Sequence, residues 1–170
     1  MENLLLRREG DIRSIVISDF GLACKLDNGA APNTLCGSEG PYLAPEMLQL
    51  AAGAQTDSKL GFGVDIWAMG VVAHALLCGR EPDFRPQHGS DSDFSDEEED
   101  ESSGAGAGLF DFRDMKREHN EMRLSPQATD FIMQMVQLVP KDRPSAATLL
   151  SHPFLDVVVV PQTMRPGSGQ

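Results

Sequence analysis

Apolar and β-branched residues open the chain in two short runs. Asn3–Leu6 ends in the turn-like Arg7-Arg8-Glu9-Gly10-Asp11, and Ile12–Ser18 follows, rich in isoleucine and valine. Two β-prone runs about a short polar turn predict a hairpin. From Asp19 to Pro45, Gly, Asn, Pro and Ser recur without helical period, which predicts a long loop of the kind that is usually functional or disordered. Pro45–Ala52 reads as a short helix with proline near its start. Val64–Cys78 is the most apolar segment. Its Ile66, Met69, Gly70, Ala73, Leu76 and Leu77 recur at helical spacing, and Gly79 follows as a stop signal. Small residues on so many faces predict a central buried helix. Leu109–Met122 reads as a charged surface helix. Ser125-Pro126 then starts a helix with a capping hydroxyl and a proline in the first turn, and Phe131, Ile132, Met135, Val136 and Val139 carry it to about Leu138. Ser145 caps a shorter helix through Leu150. The predicted fold class is mainly α with a short N-terminal β-hairpin.

One segment breaks this pattern. Residues 82–108 begin with proline and polar residues, pass through eight carboxylates between Ser90 and Glu101, and end in Ser-Ser-Gly-Ala-Gly-Ala-Gly. Such a stretch buries too little apolar area to offset its ordering entropy, so it is expected to be an acidic disordered insertion. It divides the chain into residues 1–81, the insertion 82–108, residues 109–156, and a frayed tail at 157–170.

Charge takes its meaning from that division. The 170 residues hold 26 acidic against 14 basic side chains, a net charge of −12. Without the eight carboxylates between Ser90 and Glu101, 18 acidic residues face 14 basic ones, a net of −4. The chain is a mildly acidic globular protein with one very acidic segment, which argues against nucleic acid or an anionic membrane as partner. Cys24, Cys36 and Cys78 make no CxxC pair and no His/Cys group of zinc spacing. Buried or half-buried thiols in a reducing compartment fit them better. Met-Glu-Asn-Leu-Leu-Leu-Arg has too short an apolar run for a signal peptide, and no run approaches the ~18 apolar residues of a membrane helix. The expected location is intracellular, in cytoplasm or nucleus.

The chemistry is carried by five motifs in order: Asp19-Phe20-Gly21 directly after a β-prone run; Ala44-Pro45-Glu46, preceded by Cys36-Gly37-Ser38 and Tyr42; Asp65-Ile66-Trp67 with Gly70; Leu76-Leu77-Cys78-Gly79; and Pro140-Lys141-Asp142-Arg143-Pro144-Ser145 leading into His152-Pro153-Phe154. Together they make the sequence resemble the large, C-terminal lobe of eukaryotic serine/threonine protein kinases, over nearly the whole chain except the insertion and tail. The resemblance implies a kinase-like C-lobe without the small lobe. It implies Mg2+ and ATP as cofactors, with Asp19 and Asn3 as the magnesium-holding residues at the phosphates, since a hard cation prefers oxygen ligands. It assigns Glu46 and Arg143 to a buried ion pair that anchors the segment after the activation loop, and Asp65 to orienting the catalytic-loop backbone. Thr34 falls where many members are phosphorylated for activation. Trp67 is expected to be core packing, and His74 and His152 packing or surface residues. Ser90 and Ser95 each precede an acid by three residues, a context that acid-directed kinases favour, and are expected phosphosites.

The sequence also departs from the family. The catalytic aspartate belongs five residues before the asparagine, which counts back to a position upstream of Met1. The glycine-rich loop, the β3 lysine and its αC glutamate are absent from these 170 residues, and no later segment replaces them. The family's Gly-Thr-Pro stretch reads Gly37-Ser38-Glu39-Gly40-Pro41 here, one residue longer. Three readings stay open: part of a serine/threonine kinase that phosphorylates protein substrates, with this chain inactive by itself; a non-catalytic module that binds a regulatory protein, or a basic partner at the acidic insertion; and a non-functional remnant.

Overall fold

The computed structural model describes residues 2–26, 40–53, 60–84 and 112–156. The chain enters through a two-stranded antiparallel sheet, β1 (Leu4–Leu6) against β2 (Ile15–Ile17), in the register Leu4–Ile17, Leu5–Val16, Leu6–Ile15. The link between them is not a two-residue turn. A single turn of 3-10 helix, Ile12–Ser14, precedes β2, and Gly10 takes a positive φ of 74°. Ser14 closes the link: its hydroxyl accepts the Arg8 N–H at 2.9 Å and donates to the Asp11 carbonyl at 2.7 Å. A buried hydroxyl bonded on both sides satisfies a turn backbone that a longer side chain would have to leave open.

Among the described residues six α-helices follow: α1 (Pro45–Ala51), α2 (Gly63–Cys78), α3 (Arg113–Glu121), α4 (Pro126–Met135), α5 (Ala146–Leu149) and α6 (Pro153–Asp156). Two of them carry the side-chain caps that the sequence advertises. The Ser125 hydroxyl accepts from Ala128 N–H and Ser145 from Thr148 N–H, both at 3.1 Å. Gly79 ends α2 in the left-handed region at φ 76°, where a residue with a Cβ is strained.

The core forms where α2 lies against α4. At their crossing, a Cβ on Gly70 would sit 2.8 Å from Val136 Cγ1 and 2.9 Å from Met135 Cβ, so only glycine lets the helices approach this closely. One apolar cluster joins Ala44, Met47, Trp67, Val71, Ile132 and Val136, with Phe84 and Met115 completing it. Trp67, Phe84 and Phe112 form a ring trio with centroids 5.2–6.4 Å apart. A second cluster, Ile66, Phe131, Met135 and Leu149, continues the core toward α5 and α6.

Four details differ from the sequence pattern. Helix α2, expected to be buried as a whole, has Met69 and Leu76 exposed; the buried stripe runs through Ile66, Trp67, Gly70, Val71, His74, Ala75 and Cys78. Helix α3 is not a purely surface element, because Met115, Glu118 and His119 are buried. Helix α4 stops at Met135 rather than Leu138. Pro140 follows, and the carbonyls of Gln137 and Leu138 accept from the Arg143 guanidinium instead of from a further helical turn. The disordered insertion is expected to begin at residue 82, but Phe84 is buried against Trp67, because its ring adds apolar area to the core; residues 85–108 of the insertion, the tail and the stretch carrying Thr34 lie outside the described residues.

Candidate functional site

The hairpin sets one end of the site. Because Leu4 pairs with Ile17, Asn3 falls opposite Ser18, and the Asn3 carbonyl accepts both the Ser18 N–H at 2.9 Å and its hydroxyl at 3.2 Å. Asp19 comes next, in the left-handed region at φ 58°, a conformation that Asp tolerates better than most residues. Its Oδ1 accepts the Gly21 N–H at 3.1 Å, and a Cβ at Gly21 would crowd that same oxygen. The backbone therefore turns abruptly after β2, with Asp19 exposed one residue past Ser18 and Phe20 70% exposed. A carboxylate and a side-chain amide offer hard oxygen donors, the kind that suits Mg2+ rather than a soft metal.

The second part of the site is buried. Glu46 lies in the first turn of α1, where a carboxylate is favoured by the helix N-terminus. Its two oxygens take parallel bonds from Arg143, Nη1 to Oε1 at 2.7 Å and Nη2 to Oε2 at 2.8 Å. The same guanidinium donates to the carbonyls of Gly63 and Gln137 at 2.8 Å and stacks 5.2 Å from the Trp67 ring centroid. Trp67 in turn donates its indole N–H to Pro41 at 2.9 Å. Glu46 is 3% and Arg143 7% exposed, so the charges are withdrawn from water. The forked pairing and the carbonyl bonds compensate that desolvation. One side chain thus ties together α1, the start of α2, the segment after α4 and, through Trp67, the 3-10 turn Gly40–Tyr42.

Asp65, in the first turn of α2, is exposed, and among the described residues no hydrogen bond or ion pair engages its carboxylate. Partial desolvation at the helix entrance nevertheless raises its pKa. Tyr42 donates to Glu81 at 2.5 Å; desolvation first, then that bond and the negative charge, push the phenol up to about 12. Thr34, Ser90 and Ser95 lie outside the described residues. The structure thus pairs the side chains of Glu46 and Arg143, and ties Asn3 to the end of β2 through its backbone carbonyl and Ser18, one residue before Asp19.

A further group went unread in the sequence. His74 of α2 meets Glu118 and His119 of α3, with Nε2 to Glu118 Oε2 at 3.1 Å and Nδ1 to His119 Nε2 at 3.0 Å. Arg80 holds the other Glu118 oxygen at 2.7 Å. Burial, with Arg80 adding to it, lowers the His74 pKa to about 4, so its contact with Glu118 is a hydrogen bond of a neutral ring. His119 falls to about 4 as well, by burial and by His74. Cys78 Sγ completes the group, and burial raises its thiol. The signal available in the sequence was slight: Met115 and His119 stand four apart on α3, as do His74 and Cys78 on α2, each pair on one helix face. His152, by contrast, bonds Asp130 at 3.1 Å and accepts the Phe154 N–H, so it fastens α4 to α6.

This hairpin end and buried anchor belong to a known class. Residues 1–155 match the protein kinase domain, and the chain is a member of that family. It is similar to calcium/calmodulin-dependent protein kinase type 1 of Caenorhabditis elegans, 34% identical over 155 residues covering 91% of this chain and 38% of that protein. It is also similar to the calcium/calmodulin-dependent protein kinase cmkA of Emericella nidulans (36% over 157 residues, 91% and 32%) and to human RAC-beta serine/threonine-protein kinase (32% over 161 residues, 91% and 27%). The chain therefore spans about a third of the length of these relatives. Among solved structures, Rad53 1–466 in complex with AMP-PNP aligns with a TM-score of 0.53 at 26% identity, covering 91% of this chain and 32% of that one. The Rad53 kinase domain with SCD2 and AMPPNP aligns at 0.54 and 24% identity, which supports the fold alone.

Proposed function

We propose that this chain forms the magnesium-holding and activation-segment part of a serine/threonine protein kinase, and that the chain alone does not transfer phosphate. The observation that carries the reading is the abrupt turn after β2, which leaves Asp19 exposed one residue past Ser18, the residue bonded to the Asn3 backbone. In this reading Asp19 and Asn3 hold Mg2+. The ion supplies charge neutralisation at the phosphates of ATP when the γ-phosphoryl passes to a protein hydroxyl. The chain's own contribution is to fix those oxygens: Gly21 N–H holds one oxygen of Asp19, and Ser18 holds the Asn3 backbone. Glu46, Arg143 and Trp67 hold the segment that leads from the activation loop into α1, the surface that receives a protein substrate in this family. The His-Arg-Asp aspartate that accepts the hydroxyl proton, and the lysine that pairs with the phosphates, are not among the 170 residues.

Exposed apolar residues on the hairpin and beyond it, Leu5, Leu6, Ile15, Ile17, Phe20 and Leu22, favour a second reading in which the chain is a docking module without chemistry. Two experiments separate the readings. The purified 170-residue chain, given Mg2+, ATP and a basic protein substrate, is expected to show no turnover; turnover that Asp19→Ala abolishes would overturn the proposed inactivity. Transcript sequence upstream of Met1 is expected to hold an in-frame His-Arg-Asp and a glycine-rich loop, and a stop codon there favours the docking module.

A further inference from the structure

The meeting of α2 and α3 holds chemistry that neither the hairpin end nor the Glu46–Arg143 anchor uses. His74 and Cys78 stand one helical turn apart on α2, His119 faces them from α3, and all three are buried. One ligand atom from each lies within 4.8 Å of the others. The hydrogen bonds assign the protons. A carboxylate only accepts, so His74 Nε2 carries the hydrogen that Glu118 receives, and His74 Nδ1 keeps a lone pair. That lone pair takes the hydrogen of His119 Nε2. The chain ends on His119 Nδ1, an unprotonated nitrogen that is buried and has no hydrogen-bond partner among the described residues. A buried lone pair without a partner is rare in folded proteins and points to a missing ligand.

We propose that His74, Cys78 and His119 form a site for a borderline-soft divalent cation, with Zn2+ as its occupant, stapling α2 to α3. Two imidazole nitrogens and a thiolate suit zinc and disfavour Mg2+ or Ca2+. The Arg80–Glu118–His74 relay is the outer support such sites use, since it fixes the His74 tautomer and aims its lone pair inward. The spacing is close to what the metal needs. Zn–N bonds of ~2.1 Å and a Zn–S bond of ~2.3 Å in a tetrahedron place ligand atoms about 3.3–3.6 Å apart. The two ring nitrogens already stand at 3.0 Å, and closing the 4.8 Å spread takes side-chain adjustments of about 1 Å. His119 ligates through Nε2, the nitrogen 3.0 Å from His74 Nδ1, its proton moving to the unpartnered Nδ1 and so freeing the His74 lone pair for the metal. On binding, the Cys78 thiol releases one proton to solvent, and water fills the fourth position. Tethering α2 to α3 in this way joins the helices on either side of residues 85–111, whatever the kinase-family reading of the hairpin end.

Cobalt is the probe, because a thiolate–Co2+ bond has its own charge-transfer absorption. Titrated into the reduced 170-residue chain, Co2+ is expected to bind once per chain, to show that absorption with the intense visible bands of four-coordinate cobalt, and to be displaced by Zn2+. Cys78→Ala is expected to lose the charge-transfer band. The double variant Cys24→Ala/Cys36→Ala is expected to keep it, and it decides the matter even if Cys78→Ala does not fold. Glu118→Gln is expected to weaken Zn2+ binding about 10–100-fold. Absence of the band in the parent chain, its persistence in a folded Cys78→Ala, or its loss in the double variant would each overturn the proposal.

Discussion

The Glu46–Arg143 anchor and the Asn3–Asp19 hairpin end are built in opposite ways. At the anchor, one guanidinium makes four short bonds to the described residues, lies against an indole, and is withdrawn from water. At the hairpin end, the Asp19 carboxylate makes one local bond and faces solvent on a three-residue strand pair. The anchor's partners all lie within this chain, so its energy is available on folding. The hairpin end keeps its carboxylate oxygen accessible, which costs local stability and suits a group meant to meet a charged ligand. Under the proposed function, this separates what holds the chain together from what would meet the nucleotide.

Breaking the anchor gives the largest expected effect. Arg143→Met leaves the Glu46 charge buried without its partner and is expected to cost about 3–5 kcal/mol in urea unfolding, enough to leave little folded chain. Adding Glu46→Gln removes that stranded charge, so the double variant is expected to be more stable than Arg143→Met alone. Next comes Gly70→Ala, whose new methyl meets Val136 and Met135 at 2.8 and 2.9 Å; about 1–3 kcal/mol is expected, read from the same transition. Ser125→Ala, which frees the Ala128 N–H, is expected to cost about 1 kcal/mol. The Tyr42–Glu81 contact is subtler. The folded phenol titrates near 12 against an ordinary value of 10, so the neutral form is favoured by folding. That contribution is complete below pH 10 and fades as pH rises toward 12. Tyr42 is the single tyrosine, so tyrosinate absorbance should show a midpoint near 12 in the folded chain and a lower one in Glu81→Gln, still above 10 because the phenol's burial remains.

How much of this was legible depended on whether the information was local. The hairpin, the Ser125 and Ser145 caps and the Gly79 stop were readable because each is set by residues within a few positions. The Glu46–Arg143 pair spans 97 residues and was reachable only through the resemblance, since no local pattern joins the two. Helix α2 reads in sequence as buried as a whole, yet Met69 and Leu76 face solvent. Its apolar and small residues occur all round the helix, so period alone does not choose the stripe that α4 covers. The early stop of α4 was hidden because the competitor for its carbonyls, Arg143, lies beyond a proline. The His74, Cys78 and His119 group was missed for the same reason of distance: a helix-face pair looks ordinary until a second helix brings a third ligand to it.

The smallest expected effect is the most direct test of the separation between anchor and hairpin end. Asp19→Ala, measured by urea unfolding beside the parent chain, is expected to change stability by no more than about 0.5 kcal/mol, as befits an exposed side chain. A loss of several kcal/mol, comparable with that of Arg143→Met, would contradict it and would make Asp19 part of what folds the lobe.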